Sequence, residues 1–308
     1  MKLLLIDGTR FIERTVVQKA LELGHEVVIF HRGQHETVFA NEVLHIHGEN
    51  IDISDHLEEI KTYNPDAAID TTQFETESTQ AVVDALTGVV DRYLLVSSMD
   101  VYIAYGRLHR TEMGAPQPLP ITEEGELRTL PGEGLTEEVD NLNAERVVLG
   151  QQDLPTTITR LPAVFGPGDY QRRIGEMIDK LKASNGELKL HPIQANLRWT
   201  WGYVENIADM LLECVGDRRS GNRIYNLGYP AGVSVLELYE MVADVIEWGG
   251  SIVVTEDGTE GPEQDLTQHW IADVSKFKRD FDYTEKVPLE EAIRLSVRTE
   301  LAKHEPSL

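Results

Sequence analysis

Short apolar runs alternate along the chain with stretches in which apolar residues return every three or four positions. "KLLLID" gives way to "RTVVQKALELG", then to "EVVIFHR", a turn and "VLHIHGEN". The short β-prone runs read as strands, and the 3.6-residue period between them reads as amphipathic helices. The rhythm continues through "HLEEIKTYN", "AAIDTT", "TESTQAVVDALTG", "RYLLVSS", a helix near "NAERVVLG" and "TTITRLPAVFGPGD". Strands joined through helices must pair in parallel and are covered on both faces.

Six such strands predict an α/β fold, a Rossmann-type doubly wound parallel sheet over residues 1–168. After Gly168 the texture becomes mainly helical, in "RIGEMIDKLKASNG", "YVENIADMLLECVGD", "SVLELYEMVADVIEW" and "LEEAIRLSVRTELAKH", with short strands such as "IYNLG" and "SIVVTE" between. This predicts a smaller mixed C-terminal substrate lobe, 169–308, interleaved with the first domain. Tyr105 to Leu135 is rich in Pro, Gly and Glu and reads as a long loop over the strand ends, where functional loops concentrate.

Composition narrows the partners. The chain has 308 residues, 41% hydrophobic and 26% charged, with a formal net charge of −25. A polyanion is repelled at that charge unless a strong local basic patch offsets it, and the sequence shows none, so a small molecule rather than nucleic acid is the expected partner. Acidity of this degree also serves solubility, including at high salt. "LLLI" is interrupted by Asp7 and is too short for a signal peptide, and nothing approaches a membrane span, so the cytoplasm is the expected compartment. Cys214, the lone cysteine, sits in the apolar run "IADMLLECVGD" and cannot form an intramolecular disulfide. The ten histidines are scattered; His45 and His47 face one side of a strand with no Cys or Glu at metal spacing, and no metal site is read.

The segments "IDGTRFIE", "GHEVVIFHRGQ", "VSSMDVYIAYGRL", "RLPAVFGPGDYQRR", "RWTWGYVENIADM" and "IYNLGYP" together resemble an extended short-chain dehydrogenase/reductase of the NAD-dependent epimerase/dehydratase family. The resemblance covers nearly the whole chain and is closest to an atypical branch whose turn reads Gly-Gly-Thr-Arg-Phe-Leu-Gly. It implies an NAD or NADP site at Gly8, Thr9, Arg10 and Phe11, with Arg32 pointing to the 2′-phosphate of NADP, Glu49 near the adenine amino group and Pro162 flanking the nicotinamide. A solvated surface position explains Arg32 equally well. Against the family's Gly-x-x-Gly-x-x-Gly turn, however, Asp7, Arg10 and Glu13 stand where the glycines would be. Two carboxylates near a diphosphate weaken binding, each exposed pair at ~4 Å by about 1 kcal/mol in water. Arg10 either meets a phosphate or pairs with Asp7 or Glu13.

The family's proton relay is a Tyr-x-x-x-Lys pair, in which the lysine lowers the tyrosine pKa. Anchored on "NAERVVL", that register puts Glu137 at the tyrosine and Asn141 at the lysine, and "GLTEEVDNLNAERVV" holds neither residue type. Ser97 and Ser98, at the end of the fifth strand, resemble the family's serine pair that holds a substrate hydroxyl or carbonyl, and the catalytic candidates for the acid/base are Asp100, Tyr102 or Tyr105 just after them, or Glu137 itself. The serines also suit caps or turns, and Tyr102 and Tyr105 suit packing under the insertion. The resemblance implies a substrate pocket, suited to a nucleotide-sugar, that Tyr105, Arg172 and Arg198 would line; salt bridges to the many carboxylates are the alternative for the arginines. Gly166 to Asp169 would shape its side.

Three functions stand on these residues: an NAD(P)-dependent epimerase/dehydratase-family protein with impaired or unconventional redox chemistry, a non-catalytic binding or regulatory pseudoenzyme, and a non-redox isomerase, lyase or cyclase in the same cleft. The resemblance also implies a homodimer through the helix that carries "NAERVVLG".

Overall fold

The computed structural model describes every residue except 8, 36, 40–42, 72–74, 132–139, 259–266 and 304–308. The first half runs β1 (Lys2–Ile6), α1 (Phe11–Glu22), β2 (Glu26–His31), β3 (Leu44–His47), α2 (Leu57–Tyr63), β4 (Ala67–Asp70), α3 (Thr76–Leu86), β5 (Arg92–Ser98), α4 (Ile103–Leu108), α5 (Asn141–Gly150) and β6 (Thr156–Leu161). The second half runs β7 (Ala163–Phe165), α6 (Arg173–Ala183), β8 (Glu187–Leu190), α7 (Pro192–Asn196), β9 (Arg198–Trp199), β10 (Trp201–Tyr203), α8 (Val204–Gly216) and β11 (Arg223–Asn226). It ends with β12 (Val233–Ser234), α9 (Val235–Val245), β13 (Ser251–Val254), α10 (Ser275–Phe281) and α11 (Leu289–Ala302).

Seven strands form one parallel sheet in the order β11-β6-β5-β4-β1-β2-β3. Burial on both faces explains why β1 reads as an unbroken apolar run: Leu3 to Ile6 are all inaccessible. Successive side chains serve opposite layers. Leu3 and Leu5 join Val16, Val17 and Ala20 of α1 and Ala208 and Leu211 of α8. Leu4 and Ile6 join Val82, Val83 and Leu86 of α3 and Val148 of α5. Truncating a leucine or isoleucine of either set to alanine removes about 2–5 kcal/mol.

The segment "IYNLG" lies differently from its expected place. Its strand β11 is the edge strand of the main sheet, beside β6, rather than a strand of the small lobe. The lobe's strands are pairs: β7 with β10 and β8 with β13, both parallel, and β9 with β12, antiparallel. The helices α6, α9 and α11 pack on one another there.

The strand order reverses between β1 and β4. Helix α1 leaves β1 for one face and α3 leaves β4 for the other. The carboxyl ends of the strands therefore open a crevice, the place where such sheets bind ligands. The insertion after β5 is packed over this end: Ile121 joins Met99, Val101, Tyr102 and Trp270 in a third core cluster, and the Ile121 N–H donates to the Ile271 carbonyl at 2.8 Å. Cys214 is fully buried, and burial pushes its thiol pKa up. Among the described residues no helix is long and apolar enough to cross a membrane.

Candidate functional site

A cavity of about 810 Å³ follows the carboxyl ends of the central strands. Asp7, Arg10, Phe11 and Glu13 of the β1–α1 turn line it with Arg32 and Glu49, and at its other end stand Ser97, Ser98, Asp100, Asn141, Pro162 and Arg173.

At the turn, Asp7 has φ 64°. That left-handed conformation costs a non-glycine residue about 1 kcal/mol, less for Asp and Asn than for most. The backbone thus keeps a glycine's shape while the side chain adds a carboxylate. The Asp7 N–H donates to the Phe30 carbonyl at 2.8 Å, tying the turn to β2. Arg32 Nη2 lies 3.9 Å from Asp7 Oδ2, with both groups partly exposed. Arg10 lines the cleft and bonds the His35 ring rather than Asp7 or Glu13. Glu13 lines the cleft in the first turn of α1, where a helix presents unpaired N–H groups. Burial raises its carboxyl pKa and nearby Asp7 raises it further, while a bond from its own backbone N–H and the charge of Arg10 act the other way.

Thr9 lies outside the cavity lining; it is buried, and its carbonyl accepts from the Thr37 hydroxyl at 2.8 Å. Phe11 meets Tyr170 edge-on, with ring centroids 6.3 Å apart, and Tyr170 also lines the cleft. Gly8 and Glu137 lie outside the described residues.

The other end is more tightly built. Ser97 Oγ donates to Glu145 at 2.6 Å. Glu145 is held by Arg160 through bonds of 3.0 and 2.7 Å, all of it buried. Arg160 also donates to the Glu123 carbonyl at 2.9 Å and stands over the Tyr102 ring at 4.8 Å. Ser98 Oγ accepts from the Asp100 N–H at 3.2 Å, a short cap at the strand end. Asp100 itself receives the Asn141 side-chain amide at 3.3–3.4 Å and faces Arg128 at 3.8 Å. Arg128 in turn grips Asp140 through two 3.0 Å bonds, and the Arg128 Nε–H donates to the Asp100 carbonyl. Enclosure raises the Asp100 carboxyl to about 6; Arg128, Asn141 and Ser98 restrain the rise, and Asp140 adds to it.

Four of the candidates stand elsewhere. Tyr102 is fully buried, donates its hydroxyl to Asn226 Oδ1 at 2.6 Å and has its pKa pushed up to about 12 by burial, so it takes no place in the cleft. Tyr105 packs beside Trp270, with ring centroids 5.4 Å apart, under the insertion. Arg172 pairs with Asp179 at 3.1 Å and Glu300 at 3.3 Å. Arg198 pairs with Glu237 at 3.1 Å and donates to the Gly232 carbonyl at 2.8 Å. Sequence reasoning missed Arg128, Asp140 and Tyr170, because they come from loops without periodicity. It also missed His31, which lines the cleft wall beside Arg32 and lies with Nε2 2.9 Å from His45 Nδ1.

Comparison with known proteins agrees with this frame. Residues 142–228 match the model of the NAD dependent epimerase/dehydratase family. Over those residues, less than a third of its length, the chain is similar to that family. The match takes in all of α5 but its first residue, together with β6 and β11, and so includes Glu145 and Arg160 of the buried network. Among curated proteins, the chloroplast stem-loop binding protein of 41 kDa b of Arabidopsis thaliana is 22% identical over 245 residues, covering 73% of this chain and 58% of that one. The low-salt glycan biosynthesis protein Agl12 of Haloferax volcanii is 30% identical over 178 residues, covering 57% of this chain and 52% of that one. The chain thus spans a little over half the length of these relatives. Among solved structures, the dTDP-glucose 4,6-dehydratase of Bacillus anthracis in complex with NAD superposes with a TM-score of 0.74 at 18% identity, covering 99% of this chain and 97% of that one. Likeness at that identity shows the shared fold.

Proposed function

We propose that this epimerase/dehydratase-family cleft takes a polar small molecule of the nucleotide-sugar class beside an NAD(P)-type dinucleotide, and that Asp100 replaces the family's phenol as the proton-transfer group. The observation that carries the reading is the Asp100 carboxyl, raised to about 6 at the cleft wall and held by Asn141, which stands where the family register has lysine. A group that titrates near neutral pH is suited to accept and return a proton. Ionised Asp100 would take the proton from a substrate hydroxyl oriented by Ser98, whose own proton is not spent on the cap. Asn141 and Arg128 hold the carboxylate in place. Ser97, whose hydroxyl proton goes to Glu145, positions the strand end instead.

The residues present fit a dinucleotide at both ends and oppose it in the middle. Arg10, Arg32, Glu49 and Pro162 face the cavity, and Asp7 keeps the glycine-like turn. The carboxylates of Asp7 and Glu13 stand where the diphosphate would lie, and each weakens its binding by about tenfold if ionised. A bound NAD(P) would supply hydride transfer. Arg32, half exposed and held only at 3.9 Å, is the group that would favour the 2′-phosphate of NADP.

The same turn supports a second reading, in which the fold retains the cleft without redox chemistry, as a binding protein or a non-redox isomerase, lyase or cyclase with Asp100 as base. Glu137 is the other candidate base of that second reading. A polyanion such as the stem-loop in the Arabidopsis relative's name suits neither reading, given a net charge of −25 and a cleft wall of Asp7, Glu13, Glu49, Glu75 and Glu77. A homodimer through α5 in the cytoplasm completes the proposal, and light scattering on the purified chain tests its oligomeric state. Denaturing the purified protein and assaying released nucleotide by mass spectrometry separates the two readings. One equivalent of NAD(P) supports the first; its absence after soaking with NAD and NADP sinks it.

A further inference from the structure

Strands β2 and β3 pair in a register that sets His31 beside His47 and Ile29 beside His45. The two-residue period of a strand puts His45 and His47 on one face, and the parallel ladder brings His31 to that face from the neighbouring strand. The three rings gather at the sheet edge with centroids 5.0, 4.8 and 6.4 Å apart. One ring nitrogen from each lies within 4.8 Å of the other two. We infer that His31, His45 and His47 form a binding site for a divalent transition-metal cation of the zinc type. This inference is independent of the function proposed above.

The donor set decides the class of ion. Among the described residues the donors are three imidazoles, a set that suits zinc, nickel or copper rather than magnesium or calcium, which prefer oxygen. The geometry is close to what such an ion needs. Zinc–nitrogen bonds of about 2.0–2.1 Å set neighbouring ligand nitrogens about 3.3 Å apart in a tetrahedron. His31 Nε2 and His45 Nδ1 are 2.9 Å apart, so the pair has to open by a few tenths of an ångström, and His47, the exposed member, has to close on it. Gly33 has φ 71° and passes close over the His47 ring, where an added Cβ would lie 3.3 Å from it.

A neutral imidazole offers the lone pair of one ring nitrogen to a cation and keeps its proton on the other, so binding to neutral rings releases no proton and oxidises nothing. Three protein nitrogens leave a fourth position for water or another donor.

The test uses the full chain without a polyhistidine tag, stripped with chelator and titrated with Zn²⁺ by calorimetry and with Co²⁺ by visible spectroscopy. One equivalent of Zn²⁺ and the intense visible bands of tetrahedral, nitrogen-ligated Co²⁺ are expected. His45→Gln and His47→Gln should each weaken binding roughly tenfold or more. Because His31 is buried and its replacement could unfold β2, the decisive variant is His45→Gln/His47→Gln, checked by its metal-free melting curve; both positions lie on the edge strand. Wild-type binding well below one equivalent, octahedral Co²⁺ bands, or unchanged affinity in the folded double variant overturns the inference.

Discussion

At the β1–α1 turn the charges are partly exposed and loosely matched: Asp7 faces Arg32 at 3.9 Å, and Arg10 bonds the His35 ring. At the end of β5 the charges are enclosed and each is fixed by several bonds: Glu145 to Arg160 and Ser97, Asp140 to Arg128, Asp100 to Asn141. Exposed pairs are worth about 0–1 kcal/mol and are screened by salt. Enclosed pairs are costly to assemble and far costlier to break singly. The turn is therefore an adjustable electrostatic element, whereas the β5 end is a rigid one that sets the titration of the group it holds.

The sharpest way to break that contrast is Asp100→Asn. On the proposed function it lowers turnover by about 10²–10⁴-fold, and the wild-type rate rises with pH through about 6 as Asp100 ionises. Stability should move the opposite way. A carboxyl raised from about 4 in the unfolded chain to about 6 in the fold is disfavoured when charged. Wild-type stability then falls as pH rises between these two values, and the variant, which cannot ionise, does not share the loss. Denaturant unfolding from pH 4 to 7 reads the divergence; parallel curves would mean that the carboxyl is not raised.

Next in size is Arg160→Leu, which leaves Glu145 buried without its counter-charge. The expected loss is about 3–5 kcal/mol in unfolding free energy, and pairing it with Glu145→Leu should restore much of it. A loss under about 1 kcal/mol would erase the distinction between the two ends of the cleft.

The sequence carries the central sheet well where burial is two-sided. The run Leu3–Ile6 can only be an inner strand, and the strand-end position of Ser98 and Asp100 is legible in "LLVSSMD". Chemistry at the turn is legible too, since "IDGTRFIE" shows its carboxylates directly. Features that depend on pairing between distant segments are not legible. β11 has only two fully buried residues and reads as lobe until its register with β6 is known. His31 is fourteen positions from His45 in sequence, and only the β2–β3 ladder joins them. Arg128 reaches Asp100 from an aperiodic loop, so neither its burial nor its partner leaves a pattern. Arg172 and Arg198 look like anion ligands in so acidic a chain, yet each has found a carboxylate nearby, as the charge ratio itself favours.

Asp7→Gly probes the loose end. It removes one carboxylate and relieves a residue at φ 64°, so dinucleotide affinity should rise about tenfold by calorimetry, with stability unchanged or up by about 1 kcal/mol. Salt sharpens the result. At about 1 M salt the Debye length is roughly 3 Å, so wild-type affinity should climb toward that of the variant as screening removes the repulsion. Equal affinities at low salt would show that Arg32 already neutralises Asp7.

The smallest effect belongs to Arg198→Ala. Its guanidinium is shared between Glu237 and the Gly232 carbonyl, while Glu237 also closes the capping box of α9 with Ser234. Removing the arginine leaves that cap intact, because the Ser234 N–H still donates to Glu237 at 2.7 Å. Stability should fall by less than about 1 kcal/mol, since the pair is partly exposed. Ligand affinity, measured beside wild type under the same salt, should stay within about twofold, because Arg198 does not line the cleft. A tenfold loss instead would extend the ligand's reach to β9 and α9, and the loosely matched charges would then include a binding contact as well as an obstacle.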